Sequence, residues 1–153
     1  LKSDMLARWG EVREAVATTG ERPRVLFVLS TGSGAPLVAG LETSAAGIIE
    51  MAGGENAIRD FTNFRPLTPE AGVALAPDVI LVTRRTVDML GGEAALLALP
   101  GLAATPAAES GRVVAMDGLL LLGFGPRTPE AAARLARALH PDIELPAGPW
   151  DAE

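Results

Sequence analysis

Four arginines stand where anion chemistry is available. Arg65, Arg84, Arg85 and Arg127 each fall in or beside a loop expected at the carboxyl end of a strand. A guanidinium presents a planar fork of N–H donors that matches a carboxylate or a phosphate. Apolar residues accompany them on the same side: Phe64, Phe124, Leu119 to Leu122, and the run Ala35-Pro36-Leu37-Val38. An apolar wall carrying a few cations suits a flat, amphiphilic, anionic ligand. The same arginines also read as solvated loop charge, and the residues alone leave both readings open.

A second candidate is the turn Ser30-Thr31-Gly32-Ser33-Gly34, which suggests a phosphate cradle. It lacks the lysine of G-x-x-x-x-G-K-[ST] and the full G-x-G-x-x-G pattern, and Pro36 intervenes before any helix. A small α/β enzyme acting on a phosphate-type substrate stays as the competing reading from another class. The sole histidine, His140, closes the last expected helix before Pro141. A cation there suits the helix dipole. No G-x-S-x-G elbow precedes it to make a triad. With no Cys there is no thiol nucleophile, thiolate metal site or disulfide framework. Carboxylates are scattered without metal-ligand spacing. No catalytic set and no metal-ligating set is expected in this chain.

At 153 residues the chain is long enough for one domain with a real core. Apolar residues make up 48% of it, yet no apolar run approaches the ~18–20 residues of a membrane helix. A net charge of -6 with no basic stripe argues against nucleic acid as a partner. Beginning at Leu1, without Met or a leader, the chain reads as a piece of a longer protein.

These candidates need elements to position them. Leu6, Trp9, Val12 and Val16 recur at helical spacing, so Leu1 to Thr19 reads as an amphipathic helix. Val25 to Leu29 is a near-continuous apolar run, the pattern of a parallel strand buried on both faces. The glycine turn follows, and Thr43 or Ser44 caps a helix through Met51, ended by Gly53-Gly54. Strand, glycine loop and helix thus read as the start of a βα unit.

Glu55 to Asp60 is expected as a short strand and Phe61 to Pro66 as a loop. Thr68-Pro69-Glu70 is a helix start of cap, first-turn proline and acid, leading to about Leu75. Val79 to Val82 and Arg112 to Met116 read as strands. Helices are expected after Arg84-Arg85, over Glu93 to Leu99, at Thr105 to Ser110, and from Thr128-Pro129-Glu130 to about Leu139. Alternating strands and helices predict an α/β fold with a parallel sheet covered on both faces.

Ordered motifs from about Arg24 to Pro141 carry a resemblance: GSGAPLVAGLETSAAGIIEMAGGENAI, FRPLTPEAGVALAPDVILVT, LPGLAATP, and RVVAMDGLLLLGFGPRTPEAAARLARALHP. Together they resemble the C-terminal lobe of the haemin-binding periplasmic proteins of bacterial ABC importers. Those proteins belong to the wider family that binds vitamin B12 and ferric siderophores. The resemblance implies a three-layer α/β/α lobe with a mostly parallel, Rossmann-like (chelatase-like, class III periplasmic binding protein) sheet.

It also implies a bilobal parent. Residues 1–20 would be the C-terminal part of the interlobe helix, 21–145 the C-terminal lobe and 146–153 a tail, with the N-terminal lobe absent from this chain. The haem cleft would be lined by Ser33, Gly34, Ala35, Pro36, Arg84, Arg85, Leu121, Phe124 and Arg127. Glu70 would dock on the importer's permease. The axial iron ligand, typically a tyrosine, would come from the other lobe, because this chain has no Tyr. Haem as cargo, a periplasmic location and no catalysis follow from the resemblance. A siderophore or cobalamin lobe of the same fold is the alternative within the family. A lobe separated from its partner would expose its cleft face, which predicts self-association.

Overall fold

The computed structural model describes residues 10, 14–15, 22–29, 36–99, 101–118 and 128–140. Its centre is β1, Arg24–Leu29, in which Val25 to Val28 are wholly buried. β2 spans Leu37–Ala39, α1 Ser44–Met51, β3 Glu55–Asn56 and β4 Phe64–Pro66. α2 (Pro69–Leu75), β5 (Val79–Thr83), α3 (Arg84–Leu90) and α4 (Glu93–Leu97) follow. α5 (Pro106–Ser110), β6 (Val113–Met116) and α6 (Thr128–Leu139) complete the described elements. Of the expected N-terminal helix, Gly10, Glu14 and Ala15 are helical, and the rest lies outside the described residues.

The sheet runs β4-β2-β1-β5-β6, with β3 also on β1. Val25 to Val28 pair in parallel with Val79 to Val82, and Ile80 to Thr83 with Val113 to Met116. Side chains alternate across this sheet. Val25 and Phe27 face α1 and α6. Leu26 and Val28 face the layer that contains Leu96 of α4 and Ala107 of α5. Both faces are covered, which is why β1 and β5 are apolar throughout and not alternating. The expected three-layer α/β/α arrangement is the one observed.

The sheet is mixed, however, on the side of β1 away from β5. β2 runs antiparallel to β1, with Val28 opposite Val38 and Leu29 opposite Leu37. β4 runs antiparallel to β2. The next described element after β1 is therefore an antiparallel strand and not a helix, which corrects the expected strand–loop–helix unit. Phe64 to Pro66, read as loop, is the edge strand β4. Proline is tolerated there because an edge strand leaves one side of its ladder unpaired.

β2 and β3 share one edge of β1, β3 beside Arg24 and Val25 and β2 beside Val28 and Leu29. Asn56 closes the joint between them. It is 2% exposed, and its Nδ2 donates to the carbonyls of Ala39 (3.4 Å) and Gly40 (3.3 Å). Thr43, Thr68, Thr83 and Thr105 each cap a helix through the side-chain oxygen. Each such cap is worth roughly 1 kcal/mol, and together they set where four of the helices begin.

Candidate functional site

The carboxyl ends of β1, β5 and β6 lie at one end of the sheet, and the two antiparallel steps through β2 bring the end of β4 there as well. In open α/β sheets this is where ligands bind. The chain reaches this end with Leu29, Pro66, Thr83 and Met116, and β2 leaves it from Pro36. Pro36 is half-buried, and its carbonyl accepts from Leu67 N at 2.8 Å, which ties the start of β2 to the end of β4. Two segments outside the described residues, 30–35 and 119–127, begin at this same end, after Leu29 and Gly118. Ser33, Gly34, Ala35, Leu121, Phe124 and Arg127 lie within them.

Arg84 and Arg85 are the first two residues of α3, immediately after β5, and both are exposed. No hydrogen bond or ion pair engages either side chain among the described residues. A helix N-terminus carries partial positive charge, so two cations in its first turn cost roughly 0.3–1 kcal/mol each. The first turn holds no acid to offset them. Asp88 shares α3 with them, yet no ion pair joins it to either arginine among the described residues, so both forks stay open to an external anion.

The start of α3 is fixed by Thr83. Its Oγ1 accepts from Thr86 N at 3.2 Å and donates to Thr86 Oγ1 at 2.8 Å. Gly118, just beyond β6, lies against this threonine: a methyl group built on it would meet Thr83 Cγ2 at 3.5 Å. The expectation from sequence missed this arrangement. Its only trace there was a threonine ending an apolar strand, with a second threonine three residues on.

Two residues expected at the same end are engaged elsewhere. The Arg65 guanidinium stacks over the Phe61 ring, 4.6 Å from its centroid, a cation–π contact that occupies one face of its fork. Phe64 is the first residue of β4 and sits opposite Ala39, two residues short of the carboxyl end. Its ring meets Phe27 edge-on at 6.2 Å. It covers the core on the α1/α6 side and does not line the carboxyl end. Glu70 is exposed in the first turn of α2, three residues beyond the Pro36–Leu67 tie.

His140 is 8% exposed, and its Nε2 donates to the Gly53 carbonyl at 3.1 Å. Gly54 packs against Val25 and Leu139, which puts this contact at the amino end of β1, away from Arg84. The other arginines of that end serve carbonyls: Arg112 reaches those of Ala138 and Leu139, and Arg22 that of Gly54. A phosphate cradle needs a glycine turn that feeds a helix N-terminus. Here β2 separates residues 30–35 from α1, so that arrangement is not formed.

Against known proteins, the family described as periplasmic binding protein matches residues 1–119. A solved structure of the periplasmic haem-binding protein BhuT in complex with two haems is 46% identical, with a TM-score of 0.84 over 90% of this chain and 53% of that one. The periplasmic haem-binding protein RhuT from Roseiflexus sp. RS-1, solved in apo form, is 38% identical, with a TM-score of 0.86 over 91% of this chain and 54% of that one. Among curated proteins, a cobalamin-binding protein of Halobacterium salinarum is 33% identical over 144 residues, 90% of this chain and 38% of that protein. The chain thus spans about half the length of these solved relatives and less of the curated one. With a family match over most of its length, and a sheet of the same build, this chain belongs to the periplasmic binding protein family.

Proposed function

We propose that the chain is one lobe of a haem-binding protein that delivers haem to an ABC importer, and that its carboxyl-end rim forms one wall of the haem cleft. The observation that carries this reading is the pair Arg84 and Arg85: exposed, free of side-chain partners among the described residues, and set at the ligand-binding end of the sheet. Haem is flat and apolar with two carboxylates on one edge, and two guanidinium forks suit that edge. Similarity to BhuT and RhuT, both described as haem-binding, supports haem over other flat anions. Ser33, Gly34, Ala35, Pro36, Leu121, Phe124 and Arg127 would complete the wall. The iron would take its axial ligand from elsewhere in the protein, because the one imidazole here is buried against Gly53.

In this reading Glu70, exposed in the first turn of α2, meets a cation of the permease, and the protein works in the periplasm without catalysing a reaction. A second reading, cobalamin as cargo, is favoured by the curated relative from Halobacterium salinarum. The test is the double variant Arg84→Gln/Arg85→Gln in the full-length protein, titrated with haemin. Affinity about tenfold weaker, with a shallower dependence on salt, supports the haem cleft. Unchanged affinity removes the two arginines from it.

A further inference from the structure

Thr83 is a buried polar residue at the ligand-binding end of the sheet, and the proposed function does not use it. It is 4% exposed, and Thr86, its partner, is 1% exposed. A threonine in the last position of an interior parallel strand, among Val79 to Val82, gives up apolar burial. Its hydroxyl is engaged as donor and as acceptor: it accepts from Thr86 N and donates to Thr86 Oγ1. This double contact fixes both ends of the first turn of α3, and Arg84 and Arg85 are the two residues it spans. The same side chain meets Gly118, where the chain leaves β6 for residues 119–127. One buried side chain therefore touches two of the described approaches to the rim, the start of α3 and the exit from β6.

We infer that the Thr83–Thr86 hydroxyl pair is a positioning device: it holds Arg84 and Arg85 in register for the carboxylates of the ligand. This rests on the haem reading above. Thr86 N is already taken by Thr83, so that N–H is not offered to a ligand. The arginines are the contacts, and the threonines decide where those contacts stand. The first turn of a seven-residue helix frays readily when its cap is lost, and two like charges in it add to the repulsion. The cap therefore bears on the arginines more than on the rest of the fold.

The experiment uses the full-length protein and two probes, haemin and haemin dimethyl ester, whose carboxylates are masked. Variants are Thr83→Val, Thr83→Ser and Thr86→Val. Thr105→Val is the control, because Thr105 is an equally buried cap donating to Leu102 O at 2.6 Å and accepting from Ala108 N at 3.2 Å, at the amino end of β6. Thr83→Val, which removes the cap, is expected to weaken haemin binding about fivefold; Thr86→Val, which keeps the cap and removes only the acceptor of the Thr83 hydroxyl, is expected to weaken it by a smaller factor. They should leave the ester unchanged, and Thr83→Ser should retain haemin affinity. Thr105→Val should weaken neither. If Thr83→Val weakens haemin and ester alike, or matches Thr105→Val, the threonine pair is structural only and the inference fails. If the unaltered protein binds no haemin, the haem reading itself has failed.

Discussion

His140 Nε2 donates to the Gly53 carbonyl at 3.1 Å, joining two residues 87 apart in sequence. The contact ties the end of α6 to the turn that closes α1, the two helices that cover one face of the sheet. A carbonyl can only accept, so Nε2 must carry the proton. Replacing His140 with Ala leaves a buried carbonyl without its donor, which costs roughly 1–3 kcal/mol. The expected result is a lower midpoint in chemical or thermal unfolding with haemin affinity unchanged. A loss of haemin affinity without loss of stability would contradict this.

Gly72 of α2 packs on the backbone of Gly101, and a Cβ there would collide with the Gly101 carbonyl. Alanine is favoured over glycine in a helix by roughly 1 kcal/mol. Overpacking against rigid backbone costs about 1–3 kcal/mol, so the collision should win. Gly72→Ala is expected to lower the melting temperature. A rise would mean that α2 moves away from Gly101 at little cost.

Asn56 donates to two carbonyls at the joint of β2 and β3. Asn56→Leu removes both donations, at roughly 1–3 kcal/mol. Asn56→Asp should be worse: an ionised carboxylate is an acceptor only, facing two other acceptors in a buried site. Unfolding titrations of both variants check the order. Equal stability of Asp and the native residue would contradict it.

Glu70 is exposed, and no hydrogen bond or ion pair engages its side chain among the described residues. Glu70→Ala is therefore expected to change stability by less than about 0.5 kcal/mol and to leave haemin affinity intact. In reconstituted vesicles it should reduce transport by the cognate importer. Full transport with the variant would contradict its proposed docking role.

The central layers were legible because they rest on strong patterns. Val25 to Leu29 and Val79 to Val82 are unbroken apolar runs, and both form interior strands. Thr68-Pro69-Glu70 stacks three helix-start signals on adjacent residues, and Thr68 caps α2 as expected. The antiparallel margin was not legible. β2 has three residues, too few to show a period, and it follows a proline. β4 includes Pro66, which argues against a strand unless the strand lies at an edge. Both depend on pairing with distant residues, which a local pattern does not carry. At the site, Arg84 and Arg85 stand at the carboxyl end of β5 as expected. Arg65 stands beside the carboxyl end of β4 as expected, but its stacking on Phe61 was not legible, because that partner is set by the fold of the 61–65 segment around Gly40. Ser33, Gly34, Ala35, Leu121, Phe124 and Arg127 lie outside the described residues.

The most direct measurement is a Soret titration of the full-length protein with haemin, run beside this chain alone and beside cobalamin as competitor. Haemin is expected to saturate the full-length protein, to bind this chain weakly or not at all, and to resist displacement by cobalamin. No Soret change in the full-length protein, with binding of cobalamin instead, would contradict the haem assignment and establish the cobalamin reading.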